Sequence, residues 1–82
     1  MIIKKLDKRF LHFKYGFTHQ VVFSPGEYKT YDKVYLFLRS QYNANWIIDI
    51  NYREWDVRYH RPRGEYQIFV KSEAIITMAL LS

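Results

Sequence analysis

The sequence predicts an α+β domain: a small antiparallel sheet from two hairpins, one main helix and a short C-terminal helix, in the order β-β-α-β-β-β-α. Three observations carry this expectation. Apolar residues alternate with period two over 9–24 and again over 55–70. Between those runs, residues 30–43 carry apolar side chains at helical spacing. The three Gly and two Pro fall where the elements should end.

The first hairpin is read over 9–24. Leu11, Phe13 and Tyr15 alternate with Phe10, His12 and Lys14, and Phe17, His19, Val21 and Phe23 alternate with Thr18, Gln20 and Val22. Gly16, between the runs, supplies the positive φ of a tight turn. Residues 2–5 are a candidate for a further short edge strand. Ser24-Pro25-Gly26-Glu27 then breaks the strand, either as a turn or as a capping box with Pro at the first helical position.

The helix follows from the spacing of Tyr31, Val34, Tyr35, Leu38 and Tyr42, at i, i+3, i+4, i+7 and i+11. Leu36 and Phe37 widen its apolar arc, which implies cover on more than one side. Asn43-Ala44-Asn45 ends it, since Asn tolerates a left-handed exit. Trp46-Ile47-Ile48-Asp49-Ile50 is rich in β-formers and reads as a strand.

The second hairpin covers 55–70. Trp55, Val57 and Tyr59 alternate with Asp56, Arg58 and His60, and Tyr66, Ile68 and Val70 with Glu65, Gln67 and Phe69. Arg61-Pro62-Arg63-Gly64 joins them as a β-turn, with Pro second and Gly fourth. In the tail, Ser72 is a plausible N-cap and Glu73 suits a first turn. Ala74, Ile75, Met78 and Ala79 keep helical spacing; the β-branched Ile75-Ile76-Thr77 argues for a strand, and the helix is preferred.

Residues 1–82 form one domain, without linker, repeat or low-complexity tract. Cysteine is absent, which removes disulfides, cysteine nucleophiles and thiolate metal sites together. A core of this size contributes only about 3–5 kcal/mol net, so binding a partner or a second copy would help. The composition, 49% hydrophobic and 26% charged, is that of a folded domain. The opening residues lack the apolar core of a signal peptide, and the longest apolar run, Ala74 to Leu81, is too short to span a bilayer. A cytoplasmic protein with no membrane partner is expected.

Catalytic sets are not evident. Each of the four serines reads as a turn, helix, cap or terminal residue, so no nucleophilic triad is assembled. His12 and His19, placed on paired strands, have no acidic neighbour at ligand spacing, and no metal or other cofactor is expected. Asp49, Glu54 and Asp56 could hold Mg²⁺ in a nuclease, but Arg53, Arg58 and His60 interleave with them, which suggests cross-strand ion pairs. Three isolated glycines build no phosphate loop. The chain is therefore expected not to be an enzyme.

Surface recognition remains, and two patches carry it. Sixteen aromatic residues, eight of them Tyr, exceed what so small a core readily buries. The net charge of +5 lies entirely in residues 1–41, with eight basic and three acidic side chains. Lys4, Lys5, Lys8, Arg9 and Lys14, near Tyr15 and Phe17, supply charge for phosphates and rings for bases. The same lysines equally serve to keep an edge soluble and unpaired. The second patch is Arg58, Tyr59, Arg61 and Arg63, with Arg53 and His60, at the second hairpin. Arg and Tyr at a protruding turn suit a protein interface, and Glu54, Asp56 and Glu65 temper its charge. The aromatic surplus also predicts a homodimer, unless a different partner covers it.

The close of the chain, strand Tyr66–Val70 running into Ser72-Glu73-Ala74 and a short aliphatic helix, resembles the end of many small accessory proteins of tailed phages. That resemblance implies a non-catalytic protein that binds and redirects or blocks a host factor in the host cytoplasm, a class that includes anti-defence inhibitors such as anti-CRISPR proteins. It assigns no functional residue. The leading expectation is a small binding protein that occludes a protein partner through Arg58, Tyr59, Arg61 and Arg63. The alternative is a nucleic-acid-binding module using Lys4, Lys5, Lys8, Arg9 and Lys14.

Overall fold

A computed structural model describes residues 1–42 and 48–82. The described elements are β1 (Ile2–Lys5), β2 (His19–Phe23), α1 (Tyr28–Gln41), β3 (Trp55–His60), β4 (Glu65–Val70) and α2 (Glu73–Leu81), with 3-10 turns at Leu11–Tyr15, Pro25–Glu27, Ile50–Tyr52 and Arg61–Arg63. The fold is α+β, as the periodicity predicts. The four strands form one antiparallel sheet in the order β1-β2-β4-β3.

Strand alternation divides the sheet into two faces. Val21, Phe23, Trp55, Ile68 and Val70 project to one face and pack with Tyr31, Val34 and Leu38 of α1 and Ile75, Ile76 and Ala79 of α2. Both helices therefore lie on that face, and each buried aliphatic side chain there contributes about 1.5–3 kcal/mol. On the second face, Gln20, Phe69 and Asp56 line up across β2, β4 and β3. The 6–18 connection covers that row, burying Leu6 and Phe17 with Phe69.

The second hairpin and both helices lie close to their expected places. The turn closes with the Gly64 N–H donating to the Arg61 carbonyl at 3.1 Å. Ser72 caps α2 by accepting from the Ala74 N–H. Helix α1 begins two residues before the expected start and ends at Gln41, where the Tyr42 N–H donates to the Leu38 carbonyl. Leu36 does not gain the expected second cover; it is 61% exposed. Before α1, the Glu27 carboxylate accepts from the N–H and hydroxyl of Ser24 and pairs with the amino terminus of Met1. That amino terminus and Ser24 hold Glu27 down to about 2.

The first hairpin differs from expectation. Its strands are 2–5 and 19–23, and residues 11–15 form a 3-10 turn instead of a strand. Gly16 does adopt a left-handed φ of 93°, but as the exit of that turn. A two-residue type I′ turn would require Tyr15 to share the positive φ, which its Cβ disfavours. His12 and Tyr15, three residues apart, turn inward while Leu11, Phe13 and Lys14 are exposed, so the run follows a three-residue repeat and not the period of a strand. His12 and His19 accordingly do not lie on paired strands.

The strand expected over 46–50 does not form where the segment is described, at 48–50. Residues 43–47, including the Asn43-Ala44-Asn45 exit, lie outside the described residues. Ile50 opens a 3-10 turn whose cap is Asp49, accepting from the Asn51 N–H.

Candidate functional site

The tip of the β3–β4 hairpin stands beside the start of α1. Gly64 takes a left-handed φ of 61°, and a methyl group placed on it would sit 3.4 Å from Pro25 Cγ and 3.8 Å from the Tyr59 hydroxyl. The turn is thus backed by Pro25 and stiffened internally by Pro62.

Tyrosines connect this tip to the core. Tyr59 and Tyr66 oppose each other across β3 and β4, with ring centroids 4.8 Å apart. Tyr66 stacks on Tyr31 at 4.3 Å and meets Tyr28 edge-on at 6.2 Å. Tyr31 continues inward to Phe23, and through Tyr35 to Trp55. Ring-on-ring packing therefore absorbs much of the aromatic surplus. Burial, with Tyr35, Tyr66 and Asp32 nearby, pushes the Tyr31 phenol up to about 12. The outer members stay open: Tyr28 is 55% and Tyr59 48% exposed. Tyr59 shares the helix-bearing face with Trp55 and Val57, as alternation requires, yet lies far enough along β3 to reach solvent.

Arg58, Arg61 and Arg63 are exposed, and among the described residues none has an ion-pair partner. Arg61 and Arg63 lie in the turn, next to Tyr59 and Tyr66. Arg58, opposite Gln67, projects to the second sheet face. The expected neutralisation reaches Arg53, which pairs with Asp56 at 3.1 Å, but among the described residues it does not reach Arg58, Arg61 or Arg63. Asp56 is engaged elsewhere, and no ion pair joins Glu54 or Glu65 to these arginines among the described residues.

Asp56 belongs to a part-buried group whose His12 partner the sequence did not reveal. His12 Nε2 donates to Asp56 at 2.8 Å, and Arg53 donates to the other carboxylate oxygen at 3.1 Å. Arg53 also donates to the Ile48 carbonyl. The second histidine likewise faces an acid, His19 to Glu73 at 3.7 Å. Each histidine is far in sequence from its acid, so a search for local ligand spacing passes over both pairs. Among the described residues no serine or threonine hydroxyl hydrogen-bonds to His12, and no three His, Cys, Asp or Glu groups converge as a metal site. The His12–Asp56–Arg53 group can fasten a turn to the sheet, and side-chain donors reach both oxygens of its acid.

The N-terminal cations are divided between β1 and the 6–18 connection, and the two on β1 project to opposite sheet faces. Lys4 lies opposite Gln20 on the second face, and Lys5 opposite His19 on the helix face. Arg9 is engaged by Asp7, its Nε 3.1 Å from both carboxylate oxygens and its terminal nitrogen 2.8 Å from one. Lys8 and Lys14 are exposed in the 6–18 connection. A cleft of about 580 Å³ between the end of α1 and residues 48–55 has Glu54 as its one carboxylate and no histidine among its described residues.

No helix among the described residues is long and apolar enough to cross a membrane. Comparison with known proteins finds no matching family model, no similar curated protein and no similar solved structure.

Proposed function

We propose that this chain is a small non-catalytic binding protein that docks on an acidic surface of a protein partner and occludes it. The observation that carries this reading is the hairpin tip: Arg61 and Arg63, without ion-pair partners among the described residues, lie on a proline-stiffened turn beside exposed Tyr59 and near exposed Tyr28, and Arg58, likewise without one there, adds a cation on the second sheet face. A stiff turn loses little entropy on docking. Planar guanidinium groups fit carboxylates bidentately, and tyrosine rings supply contact area with few rotatable bonds. The resemblance of the tail to phage accessory proteins extends the proposal to a host defence factor, blocked in the host cytoplasm.

The test is affinity capture from the native host, with and without nuclease. A stoichiometric protein partner should survive nuclease and moderate salt. Reversing Arg58, Arg61 and Arg63 to Glu should abolish its capture with little change in the melt, because exposed charges contribute little to folding. Reversing Lys4, Lys5 and Lys8 should matter less. Recovery of nucleic acid alone, with affinity falling steeply as salt rises, would replace this reading with the nucleic-acid one. Loss of binding in the lysine variant but not in the arginine variant would do the same.

A further inference from the structure

We propose that the outer face of α2 is the contact surface of a homodimer, in which α2 of one copy packs antiparallel on α2 of the other. Helix α2 buries Ile75, Ile76 and Ala79 against the core. Its opposite side is Ala74, Thr77, Met78 and Leu81, which helical spacing gathers into one stripe. All four are exposed, Met78 by 56% and Leu81 by 81%, and none is charged. A surface helix ordinarily turns a charged face to water. This one turns an apolar face outward, and Glu73 is its single charged residue.

The stripe is self-complementary. Its spacing of three, one and three residues reads the same in both directions. Antiparallel copies therefore set Ala74 opposite Leu81 and Thr77 opposite Met78, a small side chain against a large one at every level. Its ends also match. Glu73, its side chain 65% exposed, stands at the amino end. Lys33 stands at the carboxyl end, where its Nζ donates to the Leu80 carbonyl at 2.9 Å. A two-fold axis through the stripe brings each Glu73 towards the other copy's Lys33; parallel packing would bring like charges together. Two chains of net charge +5 repel over most of their surfaces. The α2 face, which has no Lys or Arg of its own, lets them approach with least repulsion. Four side chains per copy make less than a standard interface, so the dimer is weak and concentration-dependent.

Sedimentation of the full chain from micromolar to millimolar concentration tests this. The dimer fraction should rise across that range. Met78→Glu with Leu81→Glu should hold the chain monomeric throughout with an unchanged melt, both positions being exposed. Glu73→Lys or Lys33→Glu alone should weaken association roughly ten-fold, since each sets like charges at both ends of the interface, and the double reversal should restore most of it. A chain that is monomeric at millimolar concentration overturns the proposal, whether or not it co-sediments with phosphatidylcholine vesicles. A dimer undiminished by Met78→Glu with Leu81→Glu overturns it as well.

Discussion

The imidazole of His12 lies flat on the ring of Phe69, centroids 3.6 Å apart and planes 4° from parallel. From that position its Nε2 donates to Asp56. Phe69 and Asp56 are direct cross-strand neighbours on β4 and β3. One side chain thus fastens the 6–18 connection to two strands by two different forces, ring contact and a charge-assisted hydrogen bond.

His12→Phe should separate those forces. The ring contact survives and the donor is lost, leaving Asp56 with one fewer partner. The expected loss is about 1.5–3 kcal/mol, a fall of roughly 10–20 °C in melting temperature for a domain of this size. His12→Ala, which removes both, should melt lower still. An unchanged melt for His12→Phe would show that the hydrogen bond contributes nothing to the anchor.

Acid should act through the same contact. Burial pushes the Asp56 carboxyl up, but the His12 hydrogen bond and charge, the Val57 N–H and Arg53 outweigh it, and its folded pKa lies below the ordinary 3.8. The unfolded state therefore binds its proton first as pH falls. This contribution is present above about pH 4 and is lost as pH drops through the lower folded value. Stability measured by urea titration should fall across that window, and Asp56→Asn should flatten the fall.

Alkali should act through Tyr31. Its folded value of about 12 lies above the ordinary 10.0. The contribution is fully present below the lower value and is lost as pH rises through the higher one. Ultraviolet titration should show one of the eight tyrosines ionising last, together with loss of the near-ultraviolet dichroism. Tyr31→Phe should remove that late step.

Leu38→Ala should cost about 2–5 kcal/mol, because Leu38 is fully buried between α1 and the sheet and its removal leaves a cavity. That is much of the stability of so small a domain. A melt within a degree or two of the parent would contradict the core assignment.

What the sequence made legible was what local periodicity encodes. The helical spacing of Tyr31, Val34 and Leu38 and the alternation of 55–70 each report a face that the structure buries, and Ser72 and Pro62 mark ends that the structure uses. Residues 10–15 misled because a short aromatic run satisfies period two and period three alike; only burial of His12 against Phe69 decides between them. The His12 partner of Asp56 was hidden for a related reason. His12 is 44 residues away, and no local pattern announces a contact made by folding one connection over the sheet. At the hairpin tip, the arginines stand out in sequence, but their freedom from Asp56 depends on where that carboxylate turns.

The strand order sets how the domain assembles in time. The β3–β4 hairpin closes over a short turn, and such hairpins form in about 1–10 μs. The central seam instead joins β2 to β4, pairing Val21 with Ile68 across more than half of the chain. That closure loses the most chain entropy before any contact offsets it, so it defines the kinetic barrier. Truncating Val21 or Ile68 should slow refolding. Weakening contacts that form after the barrier should chiefly hasten unfolding. How quickly this protein reaches its fold and how long it keeps it are governed by different residues.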